Sequence, residues 1–113
     1  MKLSQVRRMA LSLPEVTEEP HFQRTSFRVR GKIIATALPD EPFLNVMVGE
    51  TAREPALAIH SSYVEKLLWG KKVVGLRVDL NRAKPAAVSD LLKQAWEEKA
   101  PKWLVLGAKE QPN

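Results

Sequence analysis

The stretch TSFRVRGKIIATAL, residues 25–38, decides the fold. Successive side chains in a strand point to opposite faces. Phe27 and Val29 are therefore expected to face a core, with Ser26, Arg28 and Arg30 outward and Lys32 at a turn. Gly31-Lys32 separates this alternating run from the apolar run that follows, which predicts a hairpin of Ser26–Arg30 and Lys32–Leu38. The outward row is cationic. It is either a grip on something anionic or the solvated side of a hairpin.

Working outward, PDEP at 39–42 predicts a turn, followed by a strand FLNVMV with Leu44, Val46 and Val48 on one face. A second hairpin, YVEKLLW and VVGLRVDL, turns around GKK at 70–72. Val74, Leu76, Val78 and Leu80 are expected inward; Val73, Arg77 and Asp79 outward. Leu3, Val6, Ala10 and Leu13 have helical spacing, and Pro14 ends that segment. ETAREPALAIH predicts a short helix ending near His60, with capping-box spacing from Thr51 to Glu54 and Pro55 in a first turn. Pro85 opens a last helix whose stripe is Val88, Leu91, Leu92, Ala95 and Trp96. PEVTEEPHF, bracketed by Pro14 and Pro20, reads as a loop.

The order is helix, three strands, short helix, two strands, helix. Links this short exclude parallel crossovers and predict an α+β fold. The expected form is a two-layer α/β sandwich, with a mainly antiparallel sheet of about five strands and the terminal helices on one face. One domain spans 1–106, and 107–113 is read as a loose C-terminal tail.

The chain has 113 residues, 44% hydrophobic and 27% charged, as in an ordinary globular domain. Cysteine is absent, which excludes disulfides and thiolate chemistry. Arg7 and Arg8 interrupt any signal-peptide core, and no apolar run is long enough to span a membrane. A cytoplasmic monomer with no membrane association is expected. His21 and His60 are the only histidines, and no glycine-rich phosphate loop occurs. The adjacent pairs Glu18-Glu19 and Glu97-Glu98 do not converge on one substrate. No catalytic residue, metal or cofactor is expected, and the chain reads as a non-enzyme.

Charge carries more information. The formal net charge is +5, with a pI near 9.7. Between His21 and Pro39 stand Arg24, Arg28, Arg30 and Lys32 with no carboxylate. Between Lys66 and Lys84 six cations face Asp79 alone. This bias favours an anionic partner such as nucleic acid.

ALSLPEV, SFRVRGKI, WGKK followed by LRVDL, and EKAPKWL occur in the order and approximate spacing of the MmcQ/YjbR family, which the chain resembles from Leu3 to Leu104. The resemblance implies a frataxin-like (CyaY-like) sandwich. It also implies DNA binding by a double wing, two hairpins straddling a duplex, here at Ser26–Leu38 and Tyr63–Leu80. Val74 and Gly75 stand where the family often has an aromatic, and Met47 where it often has lysine. Frataxins bind iron through an acidic first helix; here that helix carries Lys2, Arg7 and Arg8 and no acid before Glu15.

The expected function is non-enzymatic, largely sequence-independent nucleic-acid binding, with DNA as partner. Arg24, Arg28, Arg30, Lys32, Lys71, Lys72 and Arg77 are the expected phosphate contacts. Trp69 would stack on a base if exposed. Trp96 and Trp103 are assigned to packing, and Arg77 to a surface pair with Asp79. The alternative is a protein-interaction or small-ligand module. If the two basic turns lie on one side about a groove width apart, nucleic acid gains.

Overall fold

The structure, a computed structural model, describes residues 1–110. In chain order the elements are α1 (Leu3–Leu11), β1 (Val16–His21), β2 (Arg24–Val29), β3 (Lys32–Ala37), β4 (Phe43–Val46), α2 (Glu50–Ile59), β5 (Val64–Trp69), β6 (Lys72–Asp79), α3 (Pro85–Lys99) and α4 (Lys102–Glu110). The strands form one antiparallel sheet of six, in the order β1-β2-β3-β4-β6-β5.

Two adjacent rows across this sheet explain the layering. Glu18, Phe27, Ala35, Val46, Leu76 and Lys66 lie in register from edge to edge. Its four central members are fully buried, and α1 and α3 cover this side of the sheet. Val88, Leu91, Leu92, Ala95 and Trp96 supply the facing stripe of α3, all buried as their spacing predicts. Burying each large side chain of such a stripe stabilises the fold by roughly 1.5–3 kcal/mol before entropy is counted. Trp96 donates its indole N–H to the Pro14 carbonyl at 2.9 Å, tying α3 to the end of α1.

The sheet has one strand more than expected, because β1 reads as a loop. Only Val16 of β1 is buried, so Thr17, Glu18 and Glu19 show no apolar alternation. β1 is an edge strand, where Pro20 opposite Thr25 can lack an N–H at little cost. Glu18, on the helix side, is held by Arg7 at 2.6 Å and by the Thr25 hydroxyl at 2.6 Å. The Arg7 hydrogen bond is the main reason its carboxyl lies below the ordinary carboxylate range.

Three smaller expectations are also corrected. Helix α4 continues through Gly107 to Glu110, so the expected loose tail begins as helix; Gln111–Asn113 lie outside the described residues. Trp103, assigned to packing, is 60% exposed on α4. Gly49, not Thr51, caps α2 and gives its N–H to Glu98 Oε1 at 2.8 Å; Pro55 lies inside that helix rather than in its first turn.

Candidate functional site

One residue along from the apolar row, on the opposite face, runs a second row: Glu19, Ser26, Thr36, Asn45, Arg77 and Glu65. All six are polar, as alternation requires of a face without helices. Its two ends are internally satisfied. Ser26 donates to the Glu19 carbonyl at 2.7 Å and accepts from Arg28 Nε at 2.9 Å. Arg77 pairs with Glu65 at 2.9 Å and lies 3.7 Å over the Phe43 ring.

The middle differs. Thr36 is only 3% exposed and Asn45 9%, two polar side chains set among mainly apolar neighbours. Both form the floor of a groove of about 880 Å³, walled by Phe22, Ile33, Leu38, Met47 and Trp69, with His21, Gln23 and Arg24 at one end. Ligand sites commonly combine such mainly apolar walls with a few fixed polar groups.

Several local features build the groove. A register shift between Phe27 and Arg28 turns Ile33 onto this face, opposite Arg28. Phe22, at the β1–β2 turn, has φ 58° and is 94% exposed. A bulky side chain in the left-handed region costs backbone energy, and an exposed ring returns none of it through burial.

At the other end, β6 pairs with β4 only from Leu76 onward, so Lys72–Gly75 and the end of β5 project as a two-stranded arm. Gly75 roots the arm. A Cβ there would stand 2.2 Å from the Val46 carbonyl oxygen, so only glycine lets β4 exit across β6 and bring Met47 to the groove. Lys99 Nζ holds the Met47 carbonyl at 2.6 Å from the helix side. Burial lowers the pKa of Lys99; nearby Lys32 adds to this and Glu98 opposes it.

The seven expected contact residues do not form one surface. β2 ends at Val29, and Arg30 (φ 48°) and Gly31 (φ 84°) make the turn, both left-handed as a two-residue hairpin of type I′ requires. Arg30 thus leaves the row of Arg28. It pairs with Glu15 at 3.0 Å, with its guanidinium 5.6 Å over Trp103. Lys32, opposite Val29, belongs to the helix side. Arg28 lies along the open face over Ser26, its other end 3.4 Å from His21 Nδ1. Arg24 borders the groove, and Lys72 is opposite Trp69, with Lys71 at the tip between them. Arg77 bonds Glu65 rather than the expected Asp79, which lies 4.0 Å from Arg82. Arg24, Lys32, Lys71 and Lys72 have no ion-pair partner among the described residues.

Sequence reasoning singled out Trp69 but missed Phe22, Thr36 and Asn45 as one site. Phe22 was legible only as a lone aromatic between two polar residues, and the meeting of Asn45 with Thr36 at the groove floor needed the strand register.

Among the described residues no three His, Asp or Glu side chains gather to hold a metal ion, and no helix is long and apolar enough to cross a membrane. A six-stranded antiparallel sheet with helices on one face and a groove on the other defines an α+β domain of sandwich type. A family model, YjbR, matches residues 11–98, and the chain belongs to the YjbR family. Among curated proteins and among solved structures, none matches the chain.

Proposed function

We propose that this is a non-enzymatic nucleic-acid-binding domain, with DNA as the first partner to test and phosphates as its main contacts. The supporting observation is the placement of its free cations. In this antiparallel order the β2–β3 and β5–β6 turns leave the sheet at the same end. Three strand spacings of ~4.8 Å separate them, about 14 Å, comparable with a major-groove width of about 12 Å. Lys32, Lys71 and Lys72 stand at these turns without ion-pair partners among the described residues.

Arg24 and Arg28 add positive charge along the open face. Arg30 and Arg77 are weaker contributors, since Glu15 and Glu65 already neutralise them. The two hairpins are unequal wings: β1 flanks the first down to Val16, opposite Val29, whereas the second is a free arm.

Phosphate contacts release counterions, so affinity should fall steeply with salt and depend little on sequence. Fluorescence anisotropy of a labelled duplex and of its single strand across a salt series tests this. Lys32→Ala/Lys71→Ala/Lys72→Ala is expected to flatten the log–log slope by about two to three units. Absence of binding to either form at low salt overturns the reading.

A further inference from the structure

We infer that the groove on the helix-free face is a single-strand site, which takes an unpaired base while the neighbouring cations hold its phosphates. This deepens the nucleic-acid reading and rests on it. Three independent features converge on that occupant. The walls offer ring faces: Phe22 and Trp69 are both largely exposed and both line the groove. Neither ring gains by burial, and Phe22 is in addition held in a left-handed backbone conformation.

The floor offers hydrogen bonds. The Thr36 hydroxyl and the Asn45 amide line it. Together they can donate to and accept from the edge of a flat heterocycle. Positive charge stands at both ends: Arg24 with Arg28 near His21, and Lys71 with Lys72 beyond Trp69.

A ligand that is flat and apolar on its faces, polar at its edge and anionic in its tether meets all three. A nucleotide in a single strand has that chemistry. A duplex hides its base faces in the stack, and so could use only the cations. Stacking is tolerant of base identity, so weak sequence preference persists.

The test compares three labelled probes by anisotropy at one moderate salt concentration: a short oligothymidylate, an abasic oligomer of equal length and charge, and a duplex. The wild type is run beside Trp69→Ala and Phe22→Gly, both surface changes, with circular dichroism to verify the fold. The expected result is oligothymidylate binding about tenfold or more tighter than abasic binding, the range that stacking of one base supplies. That gap should close in either variant while abasic binding stays unchanged. Equal affinity for the two single strands, or binding of the duplex alone, overturns the groove assignment and leaves the phosphate reading standing. Failure of all three probes to bind overturns both.

Discussion

The two faces of one sheet follow opposite rules, although their rows lie a single residue apart. Phe27, Ala35, Val46 and Leu76 are fully buried beneath helices. Ser26, Thr36 and Asn45, their neighbours along the same strands, are also buried but polar, and no helix covers them. The first face shows what holds the chain together. The second retains groups that folding alone does not need: an exposed Trp69, a strained Phe22 and a polar floor to an apolar groove. Where a fold keeps such features, binding is the physical reason to look for first.

The contrast breaks most directly at Leu76. Leu76→Ala should cost about 4 kcal/mol in a urea melt, because the deleted side chain leaves a cavity among close-packed neighbours. A cost below about 1 kcal/mol would mean that this face is not the stabilising one. Gly75→Ala comes next, at about 3 kcal/mol, since the new methyl group collides with backbone rather than with a movable side chain. It should also disturb binding, because the exit of β4 that brings Met47 to the groove must shift. Trp96→Phe removes the indole hydrogen bond to Pro14 while keeping a ring in the core, and should cost about 1–1.5 kcal/mol.

On the open face the sign should reverse. Phe22→Gly is expected to raise stability by about 0.5–1 kcal/mol, as glycine accepts φ 58° without strain. Thermal melts of the variant and wild type decide it, and a loss would show that the ring contributes to folding after all.

Arg7→Ala gives the smallest effect, about 0.5 kcal/mol at neutral pH for a partly exposed pair. Its pH dependence sharpens the assignment. The folded carboxyl of Glu18 titrates lower than in the unfolded chain, chiefly through the Arg7 hydrogen bond. The pair therefore stabilises the fold above the ordinary carboxylate pKa, near 4.3, and the benefit is lost as pH falls through the lowered value. Wild-type and variant stability curves should converge in acid.

Much of the stabilising face was legible in the sequence. The inward sets Phe27/Val29, Leu44/Val46/Val48 and Leu76/Val78/Leu80 follow period two, and the α3 stripe follows helical spacing. β1 was not legible, because an edge strand with two central glutamates and a proline has no apolar alternation to detect. α4 was obscured by Gly107 and a polar end. The candidate site was legible only in part. Cations are easy to count, but that Arg30 and Lys32 belong to the other side of the turn depends on a left-handed pair and a register shift. Thr36 and Asn45 look like unremarkable polar residues until the strand register brings them to one floor.

The sheet order carries a consequence for how the chain assembles. β6 is threaded between β4 and β5, although it is the last strand made. The β1–β2–β3–β4 meander and the β5–β6 hairpin each close through sequence neighbours, with little loop entropy to overcome. They join along the β4–β6 ladder, which runs from Phe43 opposite Asp79 to Val46 opposite Leu76. That seam should be the slow, rate-determining docking step, with the two hairpins largely formed before it. Refolding of Val46→Ala should then be slowed in proportion to its loss of stability, whereas Arg7→Ala should mainly quicken unfolding.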